Sequence, residues 1–481
     1  MIRTRIAPSP TGQDIHIGNL YTAYINWAFA KKNNGQFIIR IEDTDRTRYV
    51  EGAEAKILST LKAFGLDHDE SVDREGPYSP YRQSERLDIY KKYSEQLLES
   101  NHAYYCICTP ERLAEVRREM SEKKQIPRYD KYCLTRQDEV KNKIAEGERW
   151  VVRLNVPDNT DVKFDDLIRG EIVINTNNID DQVLMKSDGF PTYHMAVVVD
   201  DYLMKISHII RAEEWISSTP KHVLLYQAFG WELPIFAHLP ILRNPDKSKL
   251  SKRKNPVWAS WYLEQGYLPE AILNYLALMG WSHPEGKDIF DKEEFINVFT
   301  LERVSPVGPA FDPKKLEWMN GQYIMKLKND ELFNKIKQFY IDKKLDNNIL
   351  EKSIPLVKER IKILSDYLPL ASFLFERPTE YEVDLEGEKE TLTGICEALG
   401  KIDDWNAEKI GEAMMAFAKE QSIPNSKFFM MLRVAISGKK ISPPLNESME
   451  ILGKEECIAR LKKSIETRTN SEADRSLESL L

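Results

Sequence analysis

The stretch Thr4-Arg5-Ile6-Ala7-Pro8-Ser9-Pro10-Thr11-Gly12, with His16-Ile17-Gly18-Asn19 and Phe37-Ile38-Ile39-Arg40-Ile41 after it, decides the fold. Thr4 to Ala7 reads as a short strand, broken by Pro8 and Pro10 with Gly12 following. From about Leu20 to Lys32 apolar and aromatic residues recur at helical spacing, and Asn33-Asn34-Gly35 ends the run. Phe37–Ile41 then reads as a buried strand. Two short strands joined by a helix predict a βαβ unit on a parallel sheet. The N-terminus of such a helix offers free backbone N–H groups and a partial positive charge, which suits a nucleotide phosphate. His16 is placed there to stabilise charge developing on an α-phosphate. On its own, His-x-Gly ahead of a helix is more often a plain turn.

Working outward, Arg40-Ile41-Glu42-Asp43-Thr44-Asp45-Arg46 puts an acidic cluster at the C-terminal end of the second strand. Ligands bind at that edge in open α/β sheets, and a carboxylate there can hold a substrate ammonium. The alternative is a solvated loop with Arg46 as internal counter-ion. Lys249-Leu250-Ser251-Lys252-Arg253, with Lys254 behind it, sets two lysines three apart, able to converge on a triphosphate. The Asn244-Pro245-Asp246 turn before it suggests a mobile loop, and a solvated lysine-rich loop is the alternative.

The whole chain bounds these readings. At 481 residues, two to four packed units are expected. With 42% hydrophobic and 30% charged residues, disorder and a fibrous class are excluded. A net charge of −8 argues against nucleic acid only at first sight, because a basic groove can sit within an acidic protein. Five cysteines, an odd number, suggest no disulfide framework, so a reducing cytoplasm is expected. The N-terminus has no apolar signal-type region, and runs such as Ala196 to Val199 are too short to span a bilayer, so no membrane partner is expected.

Between about 101 and 186 the character changes, with three cysteines, a charged helical stretch and the strand-like pieces Trp150–Val156 and Glu171–Asn175. Strand–helix alternation resumes at Pro191–Val199, so the middle reads as an insertion. After about Gly321 the chain is mostly helical, with helices expected near Asp330–Asp342, Ile349–Leu368 and Asn406–Gln421.

Taken together, the motifs resemble those of the bacterial glutamyl-tRNA synthetases of class I. Arg5 to Gly12 with His16-Ile17-Gly18-Asn19 looks like that family's "HIGH" signature, and Lys249-Leu250-Ser251-Lys252-Arg253 like its "KMSKS" loop. Arg40-Ile-Glu-Asp-Thr-Asp45 and Ile210-Arg211-Ala212-Glu213-Glu214 match further signatures in the same order. The sister enzyme for glutamine carries Pro-Glu-Pro-Asn-Gly where this chain has Pro8 to Gly12, and a short tRNA-modifying paralogue lacks the long C-terminal region. Two departures stand out: Asn19 replaces the fourth-position His, and one residue is added between Gly12 and His16.

The resemblance implies an α/β fold: a class I Rossmann-like nucleotide-binding domain split over 1–100 and 187–255, with an inserted α+β acceptor-binding domain at 101–186. A stem-contact region at 256–325 and an all-α anticodon-binding region at 326–481 would follow. It implies activation of L-glutamate by ATP with Mg2+, and transfer to the 3′ end of tRNA(Glu), generally with tRNA needed before activation. His16, Lys249 and Lys252 would be catalytic, and Gly18 and Asn19 would join them around ATP. Arg5 and Arg211 match the family's carboxylate-binding arginines, Glu42 the residue near the substrate ammonium, and Tyr193, Ala7 and Ser9 line the same pocket. For Arg211 the alternative is pairing with Glu213 or Glu214.

Cys106-Ile-Cys108 and Cys133, with Tyr129 four residues before Cys133, fit a zinc pattern found in some family members, although Thr135 stands where others have His or Cys. Three thiolates are one short of a closed tetrahedral site, and metal-free thiols are the alternative. Cys396 and Cys457, in helical surroundings, are expected in the core. Lys358, Arg360 and Lys362 are expected to alternate along a helix, with Arg360 where the family often reads the third anticodon base; a solvated helix face is the alternative. Trp318 and Trp405 could stack on bases, though a buried core is the commoner fate. A cytoplasmic monomer is the default.

Overall fold

The computed structural model describes residues 1–248, 250 and 256–466. Lys249 and Lys252, with most of their loop, lie outside the described residues. The chain divides into two compact units. The first holds Met1–Glu264 and Pro269–Pro313; the second holds Gln265–Leu268 and the chain from Lys314 on.

In the first unit, β1 (Arg3–Ile6) and β2 (Gln36–Ile39) pair in parallel through the helix α1 (Ile17–Lys32), the βαβ unit expected from the sequence. Both strands are almost wholly buried, which is why they read as continuous apolar runs. Ser207, just before β8 (His208–Ala212), donates its N–H to the Arg3 carbonyl at 3.0 Å, so β1 runs beside β8. A four-stranded sheet follows the order β6 (Gly170–Asn175), β5 (Asp161–Asp166), β9 (Ile235–Leu239), β8. β8 and β9 are parallel, β5 and β6 antiparallel. Thus β5 and β6 fall within residues 101–186 yet share a sheet with β8 and β9, joined where Asp166 pairs with Phe236.

A separate antiparallel sheet, β3 (Ala103–Cys106), β4 (Val151–Leu154) and β7 (Val183–Met185), carries the cysteine region. The helix Tyr193–Leu203 crosses from it towards β8, burying Met195 to Val199 in the core with Ile38, Tyr90 and Phe236.

Among its described residues the second unit contains helices and no strand. Cys396 and Cys457 are buried in it, as expected. The helix expected over Ile349–Leu368 is instead broken: Asn347–Val357 ends, and a short 3-10 turn begins at Leu364. The Asp366 carboxylate draws the N–H groups of Lys362 (2.8 Å) and Ile363 (3.0 Å) out of helical register. Pro355, in the last turn, already lacks an N–H to extend the ladder.

Candidate active site

β1 and β8 end at a cavity of about 750 Å³ in the first unit. Arg5, Ala7, Ser9, Glu42, Tyr193 and Arg211, all singled out from the sequence, line it together. A smaller cavity of about 270 Å³ adjoins it, lined by His16, Gly18 and Asn19 on one side and Pro240, Ile241, Leu242 and Leu250 on the other. Asn19 and Glu214 line both.

The start of α1 differs from the expectation of free backbone donors. His16 is its N-cap, and its Nδ1 accepts from the Gly18 N–H at 3.0 Å. Asn19 and Leu20 donate to the His16 carbonyl, and Ile17 donates to the Val257 carbonyl at 2.7 Å. The four N–H groups of the first turn are therefore engaged, because residues 257–259 run back along Ile15–Ile17 and His16 folds over its own helix. What remains for an anion is the helix dipole, with no acidic residue in the first turn, and the side chains of the N-terminus. Gly12 is needed for this arrangement: a Cβ there would lie 2.6 Å from the Trp258 ring.

Behind the larger cavity lies a buried charge network. Arg5 bonds Asp201 through Nε and Nη2, both at 3.1 Å. Arg40, fully buried, reaches Asp201 at 2.7 Å and Glu42 at 3.0 Å, with Asp200 at 3.7 Å. Burial would raise the Asp201 carboxyl, but Arg5 and Arg40 outweigh it and hold it below its ordinary value. Glu42 goes the other way: burial lifts its carboxyl above the usual range despite Arg40.

Arg211 is the exception in this network. It does not pair with Glu213, which holds Arg169 and Arg243 instead. Its own bonds go to Tyr193, Thr219, His222 and His238, and among the described residues it has no carboxylate partner. Burial pushes the guanidinium pKa down and raises that of the Tyr193 phenol. Trp215, which the sequence reading passed over, stacks on Tyr193 with ring centroids 4.3 Å apart. Thr44 to Arg48 and Lys186 on the cavity rim were also not singled out as site residues; the signal for the first was the run of charge after Glu42, and Lys186 had none.

Away from the cavity, the sulfurs of Cys106, Cys108 and Cys133 lie within 4.8 Å of one another. Cys108 and Cys133 are 3.5 Å apart, and the Tyr129 hydroxyl is 3.5 Å from Cys106 and 3.4 Å from Cys108. A tetrahedron with metal–sulfur bonds of 2.3 Å has edges of about 3.8 Å, so four ligand atoms at these separations fit a zinc ion. The Tyr129 oxygen also accepts the Cys133 N–H at 2.9 Å, which orients it. A second cluster, His283, Glu285 and Glu294, already holds a cation: Lys287 lies 2.8 and 2.6 Å from its two carboxylates.

In the second unit, Lys358, Arg360 and Lys362 do not alternate along a helix but lie in the turn after Val357. Lys358 is committed to the Leu327 carbonyl, whereas Arg360 is exposed and donates to the Ser442 carbonyl at 3.3 Å. Trp405 is fixed by a bond from its indole N–H to the Met449 carbonyl, and Trp318 is exposed.

Residues 1–318 match the family "tRNA synthetases class I (E and Q), catalytic domain", and residues 331–465 match "Anticodon binding domain". A glutamate–tRNA ligase of Acidothermus cellulolyticus is 46% identical, over 96% of this chain and 95% of that protein. One from Clostridioides difficile is 43% identical, over 96% and 98%. The crystal structure of a glutamate tRNA ligase from Elizabethkingia meningosepticum, in complex with its amino acid, is 38% identical and superposes with a TM-score of 0.87, covering 97% of this chain and 99% of that one.

Proposed function

The chain belongs to the glutamate–tRNA ligases of class I, and on that premise we propose that the larger cavity of the first unit is where glutamate meets ATP. The enzyme activates L-glutamate with ATP to glutamyl-adenylate and transfers the glutamyl group to the 3′ end of tRNA(Glu), releasing pyrophosphate and AMP. One observation carries the assignment of the pocket: Arg211 lines the cavity beside Arg5 as a buried cation with no carboxylate partner among the described residues.

In this reading the glutamate side-chain carboxylate docks on Arg211 and Arg5. Glutamine is nearly isosteric, so charge must separate the two. A carboxylate brings a full negative charge to this buried cation, and an amide brings none. Glu42 takes the substrate ammonium, Tyr193 braces Arg211, and the small side chains of Ala7 and Ser9 leave room. A carboxylate oxygen of glutamate then attacks the α-phosphorus, and the bond to the bridging oxygen of pyrophosphate breaks. Both reactants are anions, so positioning and charge neutralisation carry the step.

His16, Gly18 and Asn19 hold the nucleotide in the smaller cavity, and Lys249 and Lys252 close over the triphosphate as the family resemblance implies. The family uses Mg2+ in general, and when bound it neutralises phosphate charge. In transfer, the terminal ribose hydroxyl of tRNA attacks the acyl carbon and AMP leaves.

Cys106, Cys108, Tyr129 and Cys133 would hold one structural zinc, fixing the hairpin assigned to the acceptor stem within residues 101–186. Residues 256–325 would contact the stem, and the helical region from 326 on would bind the anticodon, Arg360 reading its third base with donors not taken by protein. The chain is read as a cytoplasmic monomer; no described helix is long and apolar enough to cross a membrane.

The deciding experiment is charging of total bacterial tRNA with labelled glutamate or glutamine, alongside ATP–pyrophosphate exchange with and without tRNA. Charging by glutamate alone, a steep rise in glutamate KM for Arg211→Ala, and exchange that needs tRNA are expected. Glutamine charging would overturn the arginine pocket.

A further inference from the structure

Arg5, Arg40 and Arg86, all buried in the first unit, are held by carboxylates. Arg211 is held by lone pairs of neutral groups. Its Nε donates to His238 Nε2 at 3.1 Å, and its Nη2 to Thr219 Oγ1 at 2.9 Å. Both Nη atoms lie 3.3 Å from His222 Nδ1, and Nη1 reaches the Tyr193 hydroxyl at 3.3 Å. His222 and His238 are 1% and 0% exposed, so neither exchanges its partners for water.

The tautomers follow from those partners, because a guanidinium has donors only. His238 Nδ1 lies 2.6 Å from Asp166 Oδ2, so the ring proton sits on Nδ1 and the Nε2 lone pair faces Arg211. Asp166 is itself fixed by the N–H groups of Ile168, Arg169 and His238. His222 is the reverse: its Nδ1 faces Arg211, so its proton is on Nε2 and points at His194 Nδ1, 3.0 Å away. Burial lowers the pKa of both rings, that of His238 to about 4, and keeps them uncharged.

We infer that His222 and His238 are positioning residues that hold Arg211 through neutral acceptors, so that no carboxylate is in contact with it until an incoming side-chain carboxylate meets it. The two imidazoles thereby set the preference for glutamate over its uncharged isostere. This rests on the reading of Arg211 as the partner of that carboxylate.

The test compares His222→Asn with His222→Asp in the full-length enzyme. Each puts an oxygen near the Nδ1 position, and they differ in charge. His222→Asn is expected to keep the glutamate KM within about threefold of the unaltered enzyme. His222→Asp supplies a resident counter-ion and is expected to raise that KM at least about thirtyfold, with kcat and ATP KM little changed and the glutamate-to-glutamine ratio reduced. Equal KM values for the two variants would overturn the inference. Arg211→Ala run in parallel separates the layers. If it leaves the glutamate KM unchanged, the reading of the cavity fails and the inference with it; if it is severe while His222→Asp is silent, the inference alone fails. Should His222→Asp not fold, imidazole nitrogen NMR of the unaltered protein decides: one proton on His222 Nε2 and one on His238 Nδ1 at pH 7 are expected, and a doubly protonated ring at either overturns the inference.

Discussion

Replacing Glu42 by glutamine separates affinity from stability in opposite directions. The carboxylate is buried and lines the larger cavity, and burial holds its pKa above the ordinary value even though Arg40 lies 3.0 Å away. An acid whose folded pKa is raised contributes stability below its unfolded pKa and loses it as the pH rises through the folded value. At pH 7 the ionised Glu42 therefore weakens the empty protein, and the Gln variant removes that cost. Arg40 keeps Asp201 at 2.7 Å and Asp200 at 3.7 Å, so it is not orphaned. Without ligand, the melting temperature of Glu42→Gln is expected to be unchanged or higher. Binding should suffer. A unit charge pair at 4 Å with an effective dielectric near 20 is worth about 4 kcal/mol, and sharing Glu42 with Arg40 roughly halves it. The remaining ~2 kcal/mol corresponds to about a thirtyfold rise in glutamate KM. The assay is aminoacylation at saturating ATP and tRNA with glutamate varied, beside a thermal melt of the free enzyme. A KM within threefold of the unaltered enzyme would refute the assignment of Glu42 to the substrate ammonium, and a marked fall in melting temperature would refute the destabilising charge at Glu42.

Three further outcomes are expected. Cys133→Ser should reduce bound zinc, measured by elemental analysis, from about one per chain to near zero and lower the melting temperature of the first unit; undiminished zinc would point to other ligands. His194 has its pKa pushed down to about 3 by burial, with help from Lys221 and Arg211, against an ordinary 6.5. A base with a depressed folded pKa loses stability as pH falls below its unfolded pKa, so at pH 4.5 the linkage amounts to about 3 kcal/mol. Denaturant titrations of the unaltered protein and His194→Asn should converge by about that amount between pH 7.5 and 4.5, and parallel curves would refute it. Gly12→Ala, whose Cβ would meet the Trp258 ring at 2.6 Å, should displace the segment after the lysine loop and raise the ATP KM while sparing the glutamate KM; an unchanged ATP KM would count against it.

What the sequence disclosed and what it concealed divide by range. β1, α1 and β2 were legible because local signals agree: proline and glycine punctuation, helical periodicity, and a buried apolar strand. The larger cavity was legible in its arginines through family resemblance, since no spacing links Arg5 to Arg211. The shell around Arg211 was not legible, because Asp166, His194, His238 and the helix that carries Thr219 and His222 come from distant parts of the sequence and meet only in the folded chain. Local reasoning also failed at Ile349–Leu368, where the helix stops at Val357 and a side chain, Asp366, captures the backbone donors of Lys362 and Ile363 to start a new turn. The free N–H groups expected at α1 were lost for a similar reason: Val257, more than two hundred residues away, takes one of them.

The four residues Gln265–Leu268 belong to the second unit although the chain on either side belongs to the first. They are built into it: Leu268 N–H bonds Asn320 at 2.8 Å, the Gly266 carbonyl accepts from Leu364 at 2.9 Å, and a Cβ on Gly266 would strike the Ser365 nitrogen at 2.8 Å. The backbone therefore passes from one unit to the other three times rather than once. No single cut yields both units whole: a fragment ending at Pro313 keeps a tetrapeptide stripped of its neighbours, and the complementary fragment lacks a piece of its own framework. For recombination, in the laboratory or in evolution, this makes the tRNA-reading half a poor cassette, because exchanging it by one crossover leaves a mismatched splint behind.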